Sequence, residues 1–133
     1  MSNDDVIDAS ALILALVGKD SSADLLRARL PAMHWHAPHL IDAEVGNVLR
    51  RHERAGLVST AEAHAALRAS RVLVEHRYEH AGPLAELAWT WRANVTFYDA
   101  LYIALAAQLG APLLTADARL SRVPGLTCEV EVV

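Results

Sequence analysis

A long apolar segment with a carboxylate near its start constrains the fold more than any other part of the chain. Within residues 97–109 the only strongly polar side chains are Asp99 and Gln108, which predicts a helix that is buried on nearly all sides. Gly110 ends this helix, because glycine is the favoured residue just beyond a helical end. Residues 111–115 then predict a short buried strand.

The carboxylates at the two ends of this helix-turn-strand unit are predicted to meet. About 11 helical residues carry the chain roughly 16 Å in one direction, and four or five strand residues at about 3.3 Å each return it most of that distance. Asp99 near the helix start and Asp117 just beyond the strand therefore lie at the same edge. In an open α/β sheet, that edge is where ligands bind.

Strands alternate with helices in the rest of the chain. This alternation predicts an α/β fold, a single domain over residues 1–133 with a mainly parallel central sheet and helices on both faces. The remaining strands are predicted at residues 4–10, central in the sheet and closed by Asp8, and at residues 33–37, 72–74 and 127–133. The remaining helices are predicted at residues 11–17, 20–30, 41–55 and 118–122, with others opening at Ser59 and Pro83.

Composition excludes several classes of protein. A hydrophobic content of 53% excludes a disordered chain, and no apolar run approaches the roughly 18 residues of a membrane span. Residues 1–5 lack the basic cluster of a secretory signal, so we expect a cytoplasmic protein without membrane association. The net charge of −4 disfavours a duplex-DNA-binding surface. The single cysteine, Cys128, excludes an intrachain disulfide and a cysteine-rich zinc site.

Four carboxylates are predicted at one edge of the sheet, two after strands and two at helix starts. They are Asp8, Glu44, Asp99 and Asp117. Each alone has a structural explanation as a helix cap, as part of a capping box, or as a charge at a helix N-terminus. Together, each pair about 5 Å apart would cost on the order of 3 kcal/mol, more than the ~1 kcal/mol of a cap. A divalent cation would remove this repulsion, and oxygen ligands favour Mg²⁺ or Mn²⁺.

Four motifs surround these acids: Val-Ile-Asp8-Ala-Ser10, Ile-Asp-Ala-Glu44-Val-Gly-Asn47-Val-Leu, Asn-Val-Thr-Phe-Tyr-Asp99-Ala-Leu-Tyr and Leu-Leu-Thr115-Ala-Asp117-Ala-Arg-Leu. In this order and spacing they resemble the PIN-domain nucleases, specifically the VapC-type toxins of type II toxin-antitoxin systems. The resemblance extends over essentially the whole chain. It implies an endoribonuclease that depends on Mg²⁺ or Mn²⁺.

The resemblance also implies residue roles and partners. It assigns metal ligation to Asp8 and Asp99, while Glu44 and Asp117 complete or tune the catalytic site. It also implies that three further residues orient carboxylates or water, namely Ser10, Asn47 and Thr115. It further implies an RNA substrate, a homodimer, and a cognate antitoxin that occupies the active-site groove.

Two other functions compete with this interpretation. A phosphotransfer receiver domain also gathers aspartates at strand ends, but it needs a lysine late in the chain, and Lys19 is the only lysine. The second alternative is a catalytically silent PIN-like module that binds RNA or acts as a scaffold. The presence of all four acids argues against it, and an absence of Mg²⁺ or Mn²⁺ binding would favour it.

Other polar residues carry weaker signals. The histidines His34, His36 and His39 suggest a zinc site only faintly without cysteine ligands, so we expect ordinary polar contacts for them. Asp42 lies about 200° around the helix from Glu44 and is left out of the site. Two explanations fit the arginines of this helix equally well: an exposed helix face, or contact with RNA phosphates or a partner. These arginines are Arg50, Arg51 and Arg54.

Overall fold

Five parallel strands form the central sheet of the computed structural model, which describes residues 3–133. The strands are β1 (Asp4–Ile7), β2 (His34–Pro38), β3 (Val74–Tyr78), β4 (Leu113–Thr115) and β5 (Val130–Val132). Their spatial order is β3-β2-β1-β4-β5, and every neighbouring pair is parallel. The predicted α/β class and the central place of β1 are confirmed. Residues 1 and 2, part of the predicted domain and of the N-terminal segment without a signal, lie outside the described range.

Six α-helices connect these strands within the described residues. They are α1 (Ala9–Val17), α2 (Ser21–Arg29), α3 (Leu40–Arg54), α4 (Thr60–Leu73), α5 (Pro83–Ala88) and α6 (Phe97–Leu109). The path β1-β2-β3 runs towards one edge of the sheet and β4-β5 towards the other, so right-handed crossovers put α1–α4 on one face and α5–α6 on the opposite face. Contacts agree with this division, since α1, α3 and α4 pack together and α6 packs on α5. Helices on both faces, as predicted, cover the sheet.

Local capping sets several helix boundaries. The Ser59 hydroxyl accepts from the Glu62 N–H while the Glu62 carboxylate accepts from the Ser59 N–H, both at 3.0 Å, which forms the predicted capping box of α4. Asp20 caps α2 by accepting from the Ala23 N–H at 3.0 Å. Gly110 ends α6 in the left-handed conformation, with φ of 64°, where a side chain would be strained.

Three predicted strands differ from the structure. The first, predicted at residues 4–10, ends at Ile7, because Asp8 caps α1 and residues 9 and 10 already belong to that helix. The run 72–74 was wrong as a strand, because residues 72 and 73 complete α4 and β3 begins only at Val74. Val72 is 75% exposed whereas Val74 is 1% exposed, so only Val74 reaches the core as a strand residue does. The terminal strand predicted at residues 127–133 shortens to Val130–Val132, because β4 offers just three residues for pairing.

Helix α6 is the apolar centre of its layer. Its residues 100–106 are all buried, as its apolar sequence predicts. This burial follows from its position, since α6 contacts β1, β2 and β4 on one side and α5 on the other. Within the described part of the chain, none of the helices has the length and apolar character needed to traverse a bilayer.

A buried carboxylate lies within the sheet itself, away from the predicted acidic cluster. Asp5 in β1 is 1% exposed, and its Oδ2 atom has no hydrogen-bond partner. The nearest cation is Arg29, whose Nη2 atom lies 3.8 Å from that oxygen, and the Arg29 guanidinium is hydrogen-bonded to Glu131 instead. Burial raises the pKa of Asp5 to about 6, although Arg29 opposes the shift.

We expect Asp5→Asn to change how stability depends on pH. The folded-state pKa of about 6 lies above the reference of 3.8, so the ionised Asp5 carboxylate destabilises the fold above about pH 6 and this cost disappears below about pH 4. The difference between the free energies of unfolding of the variant and the parent should therefore increase by about 1–3 kcal/mol in favour of the variant as pH rises from 4 to 7.5. Urea unfolding at several pH values measures this difference.

The exposed Asp24, replaced by asparagine, provides the control for Asp5→Asn. Asp24 is paired with Arg27 at 3.1 Å, so Asp24→Asn shows the effect of losing a carboxylate charge that is not buried. A constant difference between Asp5→Asn and the parent over this pH range would contradict the assignment of a raised pKa to Asp5.

Candidate active site

The carboxyl ends of β1 and β4 border the crevice where the sheet changes direction. These two strands are neighbours, yet the chain continues from β1 towards β2 on one side and from β4 towards β5 on the other. Such a switch point is where open α/β sheets bind ligands. Asp8 directly follows β1, Thr115 is the last residue of β4, and Asp117 follows two residues later. Two of the four predicted acids therefore lie at this switch point.

Asp8 is buried, with 5% exposure, and its carboxylate is held by three hydrogen bonds. Its Oδ1 atom accepts from the Ser10 hydroxyl at 2.6 Å and from the Ala11 N–H at 3.0 Å, which caps α1. Its Oδ2 atom accepts from the Thr115 hydroxyl at 2.5 Å. Burial raises the pKa of Asp8 and the Asp117 charge adds to the effect, while the hydrogen bonds oppose it.

The hydroxyls of Ser10 and Thr115 connect Asp8 to the segment that carries Asp117. Thr115 Oγ1 accepts from the Asp117 N–H at 3.0 Å, and Ser10 Oγ accepts from the Ala116 N–H at 2.9 Å. Because Thr115 is fully buried, its hydroxyl has a fixed set of neighbours. Two of the three predicted supporting residues, Ser10 and Thr115, therefore contact the Asp8 carboxylate, and their part in catalysis stays a prediction.

Glu44 lies further into its helix than predicted. Helix α3 begins at Leu40, so Glu44 is in the second turn rather than the first, where a helix N-terminus has less effect on charge. Its Oε1 atom accepts a hydrogen bond of 2.5 Å from the Tyr102 hydroxyl. Burial raises the pKa of Glu44, and the charges of Asp99 and Asp8 raise it further. Glu44 is thus electrostatically coupled to two of the other acids.

Asp99 is the third residue of α6 and is half-buried. The Thr96 hydroxyl, at the helix N-cap, accepts from the Asp99 N–H at 3.2 Å. Burial raises the pKa of the Asp99 carboxyl, and the charges of Asp8 and Asp117 raise it as well. Asp99 and Asp117 line the same cleft of about 260 Å³, so the helix-turn-strand unit brings its two acids to one edge, as predicted.

Asp117 differs from the other three acids because it has a cationic partner. The Arg119 guanidinium donates from Nε and Nη2 to both carboxylate oxygens, at 3.0, 3.2 and 2.6 Å. The Arg119 N–H also donates to Asp117 at 3.0 Å, which caps the 3₁₀ turn at Ala118–Arg122. These contacts hold the pKa of Asp117 below its usual value.

Sequence reasoning missed two residues of this site, Tyr102 and Arg119. Tyr102 follows Asp99 by three positions, so the two are on the same side of α6, and a buried tyrosine hydroxyl needs a partner. Arg119 follows Asp117 by two positions. Residues with this spacing do not share a side of an α-helix, but here a 3₁₀ turn brings the two side chains together.

Other predicted polar residues lie apart from the carboxylates or have separate partners. Asn47 is exposed and makes no side-chain hydrogen bond to another described residue, so the structure does not connect it to Asp8. Asp42 accepts two hydrogen bonds from the Arg77 guanidinium, at 2.7 and 2.9 Å, which agrees with its exclusion from the site. The arginines of α3 are all exposed, namely Arg50, Arg51 and Arg54.

The predicted polar contacts of the histidines are present on β2. His34 contacts Glu75 at 2.9 Å, and His36 contacts the Tyr78 hydroxyl at 2.7 Å and Asp4 at 2.8 Å. His39, at the start of α3, is exposed. These pairs provide a structural role for His34 and His36 without a metal ion.

The donor chemistry of the acidic site suits a hard cation. Among residues 3–133, no three histidine, cysteine, aspartate or glutamate side chains are arranged to hold one metal ion. Two of the four acids have side-chain partners of their own, since Arg119 binds both oxygens of Asp117 and Tyr102 donates to Glu44. Mg²⁺ needs only one or two carboxylates, since it keeps several waters. The two buried or half-buried acids Asp8 and Asp99 fit that requirement.

Comparisons with known proteins agree on the family. The profile of the PIN domain matches residues 6–126. Ribonuclease VapC1 of Mycobacterium tuberculosis is 51% identical over 128 residues, which is 96% of each chain. Ribonuclease VapC9 of the same organism is 39% identical over 128 residues, which is 96% of this chain and 97% of that protein.

The fold is also shared with a solved toxin-antitoxin structure. VapBC2 from Rickettsia felis, bound to a DNA fragment from its promoter, has a chain that superposes with a TM-score of 0.72 and covers 98% of each chain. At 12% identity, this likeness concerns the fold alone.

We expect Thr115→Val to destabilise the protein at neutral pH by about 1–3 kcal/mol. The substitution keeps the shape of the side chain but removes the donor to Asp8 Oδ2 and the acceptor of the Asp117 N–H. Urea unfolding at pH 7 measures the loss. Thr115→Ser keeps the hydroxyl and should lose clearly less stability, so equal losses in the two variants would show that the hydroxyl is not responsible.

Proposed function

Because the chain belongs to the PIN domain family, among the VapC ribonucleases, we propose that it is an endoribonuclease, the toxin of a toxin-antitoxin pair. The observation that carries this proposal is the meeting of carboxylates at the switch point between β1 and β4. Burial and mutual repulsion raise the pKa of three of them, Asp8, Glu44 and Asp99. A site of this kind is suited to a divalent cation and a phosphodiester substrate.

We propose that Asp8 and Asp99 hold Mg²⁺ or Mn²⁺. Asp8 Oδ2 accepts one hydrogen bond, from Thr115, and a carboxylate oxygen has lone pairs for a second partner. Asp99 is within electrostatic reach of Asp8 and has a raised pKa for the same physical reasons. When bound, such an ion neutralises phosphate charge and activates water for attack at phosphorus.

The chain's own residues orient this chemistry. Ser10 and Thr115 fix the Asp8 carboxylate, so that the carboxylate keeps one position when a charged group binds in the site. The Tyr102 hydroxyl fixes one oxygen of Glu44, which we assign to completing the site together with Asp117. Asn47 is exposed on α3, one turn beyond Glu44, where we propose that it orients water at the mouth of the site.

The proposed partners follow from the family and from surface charge. With a net charge of −4, the protein has little general attraction for RNA, so we infer that recognition depends on RNA shape or on single-stranded context. We propose that a cognate antitoxin covers the acidic groove and that the toxin functions as a homodimer in the cytoplasm. The antitoxin is supported by the fold shared with VapBC-5 of Mycobacterium tuberculosis, a member of a family of toxin-antitoxin systems.

Asp8→Asn and Asp99→Asn test the catalytic proposal. Each variant keeps the shape of the side chain but removes a charge, and each should lose RNA cleavage by about 100-fold or more, since an ion of this kind supplies several kcal/mol to the transition state. The assay is cleavage of a mixed-sequence RNA pool with MgCl₂ or MnCl₂, with the new RNA ends mapped by sequencing. The control is Glu53→Gln, an exposed acid on the same helix as Glu44, which should retain activity. Parental activity in both aspartate variants would overturn the mechanism.

A second expected outcome concerns stability in the presence of metal. Because the ion would bind the folded site and relieve repulsion among Asp8, Glu44 and Asp99, MnCl₂ should raise the Tm of the parent at pH 7.5, and EDTA should reverse the rise. The Tm of Asp8→Asn should respond much less. Thermal unfolding followed by circular dichroism provides the measurement. An unchanged Tm in the parent would favour the silent scaffold over the nuclease.

A further inference from the structure

The arginine that follows Asp117 forms the closest ion pair of the site. Three of the hydrogen bonds to the Asp117 carboxylate come from the Arg119 side chain, and they engage both oxygens. The planar guanidinium matches a carboxylate in this two-point geometry, which a lysine cannot reproduce. Both oxygens of the Asp117 carboxylate therefore already have a positive partner.

The other three acids have no such partner. Among the described residues, none of the ion pairs within 4 Å includes Asp8, Glu44 or Asp99, which have hydroxyl or backbone neighbours instead. The charge of Arg119 also lowers the pKa of Asp99. Within the described residues, Arg119 is thus the one cation paired with an acid of this cluster, and Arg122 acts on Asp117 only through its charge.

We propose that Arg119 is a positioning residue that competes with the divalent cation for Asp117. This inference rests on the proposed nuclease function. The fork of the Arg119 guanidinium occupies both oxygens of Asp117, so an ion held by Asp8 and Asp99 would take Asp117 as a further ligand only by displacing that fork. Coordination of the ion by Asp117 and pairing of Asp117 with Arg119 therefore exclude each other, and each weakens the other by the same factor.

Exposure makes this exchange feasible. The Arg119 side chain is 81% exposed, so breaking its ion pair returns the guanidinium to water and costs little. The cap of the 3₁₀ turn does not depend on the side chain, because the Arg119 backbone N–H donates to Asp117 independently. The fork can open without unfolding the turn that carries Asp117.

Calorimetric titration of metal-free protein with MnCl₂ tests the proposal. Arg119→Ala should bind Mn²⁺ about two- to fivefold more tightly than the parent, which is the range expected for the loss of an exposed competing ion pair. Arg119→Lys, which keeps the charge but loses the fork, should fall between the two. The nearby Arg122 influences Asp117 only through its charge, so Arg122→Ala should have a smaller effect than Arg119→Ala.

A double-mutant cycle separates competition from a general effect of charge. In an Asp117→Asn background the fork has lost its ionic partner, so Arg119→Ala should change Mn²⁺ affinity no more than Arg122→Ala does. Weaker or unchanged Mn²⁺ binding in Arg119→Ala, or the same gain in the Asp117→Asn background, would overturn the competition. A parent protein that binds no Mn²⁺ would overturn the proposed metal site itself, and this inference with it.

Discussion

The hydrogen bond from the Thr115 hydroxyl to Asp8 is the contact on which the arrangement of the site depends. It joins residues 107 positions apart in the chain, at the carboxyl ends of two adjacent strands. A buried carboxylate in this position would be costly without donors, and Thr115, Ser10 and the N-terminus of α1 supply them. The same hydroxyl then receives the Asp117 N–H, so a single side chain sets the distance between the two strand-end acids.

Three of the four acids have partners of different kinds. Asp8 accepts hydrogen bonds from neutral donors, whereas Glu44 accepts one from the hydroxyl of the buried Tyr102. Asp117 is paired with an exposed guanidinium. The site is consequently buried after β1 and open to solvent after β4.

Elements with regular periodicity could be predicted from the sequence, and contacts within irregular turns could not. Helix α6 and the convergence of Asp99 with Asp117 followed from an apolar run, a glycine stop and simple lengths per residue. The start of β3 was misplaced because the apolar run at 72–74 suits the end of a helix as well as a strand. Arg119 was missed because its pairing with Asp117 needs the tight geometry of a 3₁₀ turn, and Tyr102 because its hydroxyl is hidden in an apolar pattern.

The side chains of β3 restrict how two copies of this protein can associate. As an outer strand, β3 has one row of backbone groups without a neighbouring strand, and it carries Glu75, His76 and Arg77 in its middle. Charged residues on an edge strand oppose the addition of another strand, since pairing would desolvate them. The sheet is thereby protected from edge-to-edge aggregation at β3. A homodimer formed on that side would have to use helical surfaces rather than a continued sheet.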